Sequence, residues 1–415
     1  MTIEYKFDKR GRSYRADRPR PPIWRKFAAT AAIIAGLVVG YNHFHSGPDA
    51  SKDKKADELH EFIEEKQANL VEEKQSLEKK VFIYSQDLDK KAINDKTLAV
   101  CDYFVPHMFE IDIRSAKRKK GEKSHVVRSA EPEIYSRASR KTIDTLMVNA
   151  SRKNILVTPM VSAFKQQVIE KMLENPEYYA SSMADKIKKI GAKGVVIDFE
   201  SVKIDSAYSP ALIQFMKELR SRLTQGEYSI SIAVSPRFNG SAEKGFSHHG
   251  FYDFRELSKH VDYVQLMCYD FHKTKVGPVL PQQMFEKILQ YASQTVPSEK
   301  IVAILPFYGY AWRLKNHTKG KGKHKIKEVV IIKQGTLSAK NSDGYLKRHT
   351  PIDEEYRDGE LYVKTKNSIA YIQNGEVFRN RFAILQKYGI YNVAGWRESH
   401  STLEISDSLG VWKKE

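Results

Sequence analysis

The sequence predicts an α/β chain built on a (β/α)8 TIM barrel, with an inserted subdomain between strands 7 and 8, preceded by an N-terminal signal anchor and helical stalk. Three observations carry this reading. From Val81 onward eight short apolar runs recur: Val81–Ser85, Tyr103–Pro106, Ile155–Met160, Gly194–Phe199, Tyr228–Pro236, Tyr263–Tyr269, Ile301–Phe307 and Tyr391–Trp396. Several are apolar on both faces, as strands buried beneath helices are. Between them lie amphipathic stretches with clear start and stop signals, and such alternation over this length suits a barrel better than an open sheet.

Taken in order, residues 1–26 form a basic arm holding Arg10, Arg12, Arg15, Arg18, Arg20, Arg25 and Lys26, with Pro19, Pro21 and Pro22 keeping it from helix. Residues 27–45 read as a signal-anchor or transmembrane segment. Its uncharged stretch from Phe27 to Tyr41 is shorter than the ~20 residues of a full span. Flanking residues extend it, and no small-x-small cleavage site follows, so an anchor is preferred to a cleaved signal peptide. The basic flank assigns the arm to the cytoplasm and the rest to the outside, single-pass. Residues 46–80, dense in Glu and Lys with Ile63, Leu70 and Leu77 at heptad spacing, read as a charged helical stalk too short to predict an oligomer.

The barrel is expected over 81–415. Asn175-Pro176 signals a helix start, Met183, Ile187 and Ile190 its apolar stripe, and Gly191 its end. Ser209-Pro210 opens the next helix, with Leu212, Met216, Leu219 and Leu223 as its stripe and Gly226 as its stop. The turn-rich, basic stretch at about 313–367 is too long for an ordinary connection and reads as the insertion.

Charge and cysteine narrow the partners. The net charge of +18 raises the question of nucleic acid, yet the excess sits in the arm and two lysine-rich loops rather than on a base-reading helix. Nucleic acid is therefore not expected. Cys101 and Cys268 lack zinc spacing, and His248-His249 lacks any ligand pattern, so neither metal nor cofactor is expected.

The chemistry centres on Lys193-Gly194-Val195-Val196-Ile197-Asp198-Phe199-Glu200. Side chains alternate along a strand, so Val195, Ile197 and Phe199 share the helix-facing side while Val196, Asp198 and Glu200 face the barrel. Two carboxyls thus meet at a strand's C-terminal end, where such barrels hold their sites. A lone D-x-E also serves as a cap or ion pair, so the assignment rests on its surroundings.

Those surroundings carry a resemblance. Gly194 to Glu200 is similar to the D-G-x-D-x-D-x-E signature of the family 18 glycoside hydrolases, with Asp198 and Glu200 in the last two acidic places. Tyr252-Asp253-Phe254, then Val261 to Asp270 with its Met267-Cys268-Tyr269-Asp270 end, and Gly277-Pro278 resemble that family's sixth strand and flanks. Val296 to Trp312 resembles the seventh strand, and Gly395-Trp396 the end of the eighth. Among these chitinase-like barrels the likeness is to the spore-cortex and peptidoglycan N-acetylglucosaminidase type.

The resemblance implies a retaining glycosidase acting at β-1,4 bonds of N-acetylglucosamine-containing polysaccharide, chitin-like or peptidoglycan-like. Glu200 is then the acid and base, Asp198 the acceptor of the sugar's acetamido N–H, and Tyr269 the donor to its carbonyl. Met267, Asp270, Tyr308 and Trp396 are expected to bind substrate, although Met267, Tyr269 and Trp396 also suit plain barrel packing. Two departures stand out: Lys193 and Val196 replace the signature's first acids, and Arg397-Glu398-Ser399-His400 follows the eighth strand. Without an acid at Val196, Asp198 is expected to ionise more easily. A barrel that binds glycan or organises the envelope without catalysis is the second reading.

Overall fold

A computed structural model describes residues 5–7, 13–15, 50–75, 78–86, 88, 96–113, 131–201, 204–238, 250–319 and 326–414. The expected anchor at 27–45 and the pair His248-His249 lie outside the described residues. No helix among the described residues is long and apolar enough to cross a membrane. Contacts divide the chain into two units, Met1–His60 and Glu61–Glu415. In the first, Tyr5–Phe7 pairs antiparallel with Ser13–Arg15, within the expected basic arm.

In the second unit eight strands close into a parallel barrel: β1 (Val81–Ser85), β2 (Tyr103–Asp112), β3 (Met160–Ala163, after a short Leu156–Val157 piece), β4 (Gly194–Phe199), β5 (Ser229–Val234), β6 (Tyr263–Met267), β7 (Ile301–Pro306) and β8 (Asn392–Trp396). Neighbours follow chain order, and β1 pairs with both β2 and β8 to complete the ring. All eight expected runs are strands, with ends differing by a few residues except β2, which runs on to Asp112. That extension pairs antiparallel with Glu133–Ser136.

The helix signals act as read. Asn175 accepts the Tyr178 amide at 3.4 Å, and Pro176 sits in the first turn of Pro176–Lys189. Helix Ser209–Arg222 begins at Ser209-Pro210. Its Phe215 packs on the outward ring of Phe199, 5.5 Å between centroids. Val196 turns the other way, into the interior cluster with Tyr84, Val105, Met160 and Met267. The period-two alternation along β4 therefore fixes which side chains reach the barrel axis.

The insertion is wider than expected, running from Tyr308 to Ile372. Its five strands form an antiparallel sheet, with helix Ala339–Arg348 between the second and third. The stretch Tyr308 to Trp312 resembles a barrel-strand ending, yet it pairs with Gln334 to Ser338 and with Ile369 to Tyr371. Gly309 permits that approach, since a Cβ there would lie 1.8 Å from the Tyr371 carbonyl oxygen. A buried ion pair braces the insertion: Glu360 meets Arg381 at 2.7 Å and accepts the Val279 and Leu280 amides at 3.1 and 2.9 Å. The loop leaving β6 is thereby tied to the insertion and to helix Gly375–Lys387.

The charged stretch read as a stalk requires a correction. It is helical, Ala50–Gln75, but from Glu61 it belongs to the barrel unit. Leu70 and Val71 join the interior cluster with Phe82, Tyr103 and Tyr263. Gln67, fully buried, donates to Ser151 Oγ at 3.2 Å and Ile155 O at 3.0 Å, and accepts the Val157 amide at 2.8 Å. Lys74 lies 3.4 Å from Asp102, just before β2. Ile155, Val157 and Asp102 lie at the starts of strands and Ser151 at the end of helix Arg140–Arg152, so the helix forms the barrel floor, opposite the site. Its many Glu and Lys residues concealed an apolar face of single residues.

If the helix is floor, Leu70→Ala should lower the full chain's unfolding free energy by about 2–5 kcal/mol, the usual cost of such a core truncation. Urea unfolding checks this. A loss below about 0.5 kcal/mol, as at a surface position, would return the helix to a stalk.

Candidate active site

Strand β4 delivers Asp198 near its end, with Glu200 just past it. Tyr252 donates to the Phe199 carbonyl at 2.5 Å, pinning the backbone between the two carboxyls. Asp253 stabilises the loop that carries this tyrosine by capping the short helix Phe254–Leu257 through the Glu256 amide, 3.1 Å. The two carboxyls are in hydrogen-bonding contact with each other.

Their titration is set first by burial. Loss of water pushes Asp198 well above the usual carboxylate range, and the neighbouring Glu200 charge pushes it further. Glu200 is also raised by burial and by Asp270, while its bond to Asp198 and the Lys273 ammonium pull it down. Burial thus favours the protonated form of both carboxyls. The expected comparison, easier ionisation than beside an acid at Val196, is separate from this rise, which burial sets first. Val196 withholds a like charge, but it also withholds any donor, and Glu200 supplies the like charge instead.

The other expected residues converge. Tyr269 stacks on Trp396 with centroids 6.1 Å apart at 20° and faces Tyr308 at 6.5 Å. Burial, then Glu200 and Asp198, raises the Tyr269 phenol well above its ordinary value, so it keeps its proton and can donate. Met267 lies buried in the interior cluster against which Tyr269 and Trp396 pack, so it supports the site from below. Asp270 accepts Tyr308 Oη at 2.5 Å, bonds Tyr310, and pairs with Lys273 at 2.5 Å. Its backbone is left-handed, φ 69°, a conformation aspartate tolerates, and it turns the chain out of β6.

After β8 the chain forms the turn Glu398–His400, where the usual apolar continuation is missing. The His400 ring meets Tyr308 edge-on at 5.9 Å, and Arg397 bonds Gln86 at the rim. The Trp396–Arg397 peptide bond is cis.

Several residues went unread in the sequence. Ser162 lies beside Asp198 in the β3–β4 register, and His107 Nε2 donates to Ser162 Oγ at 2.6 Å. Burial, with Arg137 against the ring, lowers the His107 pKa to about 3, so the imidazole is neutral. Tyr84 projects into the interior from β1, and Tyr310 lies in the insertion's cluster against which Tyr269 and Trp396 pack. Alternation along β2 and β1 already puts His107 in phase with Tyr103 and Val105, and Tyr84 with Phe82; that was the available signal.

The model of glycosyl hydrolases family 18 matches residues 161–396. The cortical fragment-lytic enzyme of Bacillus anthracis is 22% identical over 227 residues, covering 53% of this chain and 49% of that protein. A chitinase from Chromobacterium violaceum superposes with TM-score 0.63 at 16% identity, covering 81% of this chain and 99% of that one. The Bacillus megaterium spore cortex-lytic enzyme SleL gives 0.61 at 14% identity, covering 80% and 73%. At these identities the two structures attest the fold. The chain spans about half the length, or less, of the first curated relatives it matches.

A raised carboxyl makes a signed prediction. Between the unfolded value of 3.8 and the higher folded value, the folded chain binds more protons than the unfolded one, so Asp198 lowers stability as pH rises. Asp198→Asn removes that penalty. It should raise the melting temperature at neutral pH, with the gain shrinking as pH falls towards 3.8. A variant less stable than the parent at neutral pH would contradict the assignment.

Proposed function

The chain belongs to the glycosyl hydrolases of family 18, and from that premise we propose that it hydrolyses β-1,4 bonds beside N-acetylglucosamine in chitin- or peptidoglycan-like glycans. The observation that carries this is the pairing of Asp198 and Glu200 on one face of β4, in mutual contact beneath Tyr269 and Trp396. Most glycosidases place two carboxyls on opposite sides of the scissile bond. Two from one strand lie on the same side, so the nucleophile is best supplied by the substrate's own 2-acetamido group.

In this mechanism Glu200 in its protonated form gives its proton to the glycosidic oxygen as the bond to the anomeric carbon breaks. The acetamido carbonyl oxygen closes on that carbon, forming an oxazolinium. Asp198 accepts the acetamido N–H and offsets the positive charge, and Tyr269 Oη donates to the acetamido oxygen. Glu200, now a carboxylate, takes a proton from the water that reopens the ring, which retains configuration. Trp396 offers an indole face to the pyranose. No cofactor is needed for these steps.

A second reading has one feature in its favour, Val196. On this reading a barrel without the signature's inner acid holds glycan or organises the envelope without cleaving it. The proposal also extends to location: residues 27–45 anchor the chain and the barrel works outside the cytoplasm, supported by the basic arm ahead of an uncharged run.

Glu200→Gln should cut turnover at least ~10²-fold with glycan binding retained, read by mass spectrometry of products from chitooligosaccharides and purified peptidoglycan. Turnover within about tenfold of the parent would end the role given to Glu200. De-N-acetylated substrate should not be cleaved at all. For location, protease added to intact spheroplasts should digest the barrel; a protected chain would place it inside.

A further inference from the structure

Beneath Asp198 the barrel interior holds an unusual set of polar atoms. Asp198 Oδ1, Ser231 Oγ and Gln265 Nε2 are buried and have no hydrogen-bonding partner among the described residues. The remaining end of Gln265 is fixed, because Tyr84 donates to its Oε1 at 2.8 Å. Ser231 lies beside Val196 in the β4–β5 register, and Gln265 sits one strand further round, beside Ala233. Tyr84 is close enough to Asp198 and Glu200 for their charge to bear on its phenol.

We propose that Gln265 and Ser231, oriented by Tyr84, hold one buried water against Asp198 Oδ1, a neutral cradle in place of the inner acid that Val196 lacks. Buried polar groups are almost always satisfied, and internal waters complete those the protein leaves open. The donor sense is consistent. Tyr84 gives to Gln265 Oε1, Gln265 Nε2 gives to the water oxygen, and the water gives its two protons to Asp198 Oδ1 and Ser231 Oγ. The chain from Tyr84 through Gln265 and the water ends on Asp198 Oδ1, so the cradle supports the carboxylate when the acetamido N–H arrives. Gln265, Ser231 and Tyr84 are thus positioning residues. The catalytic meaning rests on the mechanism proposed above; the water does not.

Asp198 has other neighbours that must be held constant. Glu200 shares its strand, Tyr269 faces it from β6 and Tyr252 from the loop before Phe254–Leu257. Ser162 flanks it on β3 with His107 behind, and Asp270 and Lys273 act through Glu200. None changes in the variants chosen.

Two measurements test the cradle on the full chain without requiring turnover. A crystal structure resolving ordered water should show one molecule within hydrogen-bonding distance of Asp198 Oδ1 and Gln265 Nε2, missing in Gln265→Leu. A carbon-13 titration of the Asp198 carboxyl should move to higher pH in Gln265→Leu by roughly one unit, a tenfold change in ionisation. Tyr84→Phe should move it less, and adding it to Gln265→Leu should change nothing more. Where Gln265→Leu does not fold, Ser231→Ala replaces it, with a smaller upward shift. A dry interior in the unaltered chain, or an unmoved midpoint in a folded variant, overturns the cradle. With active enzyme, kcat should fall about tenfold with KM nearly unchanged, and the acidic limb of the rate profile should follow the titration. A wild-type chain that binds but never cleaves would refute the hydrolase reading while both measurements still judged the cradle.

Discussion

Two carboxyls, two residues apart at the end of one buried strand, resist carrying charge together, and the site is built around that constraint. Burial raises Asp198, and the bond between the two makes each one's proton the other's concern. A rigid strand is needed to keep them in contact. The Tyr252 bond to the Phe199 carbonyl and the pairing of Asp198 with Ser162 hold the strand end from both sides. Tyr269, kept protonated by burial and by both acids, is then a dependable donor in the same mouth.

The scaffold answers a mechanical requirement as much as a chemical one. A barrel must be filled and sealed at its lower end, and here the sealing element comes from the helix ahead of β1, through Gln67, Leu70 and Val71. At the upper end the insertion is fastened by the buried Glu360–Arg381 pair. Glu360 also takes the amides of Val279 and Leu280, so the loop bearing Asp270 and Lys273 is anchored at its far end. Breaking such a pair strands a buried charge, which costs more than the pair itself contributes. Its value here lies in joining three segments that the chain order keeps apart.

What the sequence made legible follows from the range of each signal. Strand runs, proline-started helices and the inward phase of β4 are local patterns, and they hold. Six of the seven residues singled out for the site gather in one mouth, with Met267 in the layer beneath, because the barrel brings strand ends together whatever their separation in the chain. The floor helix was misread because its apolar face is sparse and its partners lie in the starts of distant strands. The insertion's start was misplaced because Tyr308 to Trp312 continues a strand without a turn signal. The rise of the Asp198 pKa was not legible because pairwise charge can be read from neighbours in sequence, whereas desolvation is a property of the finished fold. His107 and Ser162 were passed over because neither stands in a motif; only the β2–β3–β4 register shows their relation to Asp198.

The last step concerns how charge is shared out among three acids in one mouth. Asp270 is turned to a left-handed backbone and surrounded by two tyrosine hydroxyls and the Lys273 ammonium. Its oxygens are thus occupied by the insertion and its own loop rather than by Glu200. Lys273 reaches further, pulling Glu200 down while Asp270 pushes it up, so the two oppose each other across the mouth. With that third acid accounted for, the proton balance of Asp198 and Glu200 depends on burial, on each other and on the neutral groups beneath them. Val196 fits this scheme. An inner carboxyl would add a fourth acid beside Asp198, Glu200 and Asp270, whereas valine leaves Asp198 to be steadied by neutral donors. The departure from the family signature at Val196 is therefore compatible with a working pair above it.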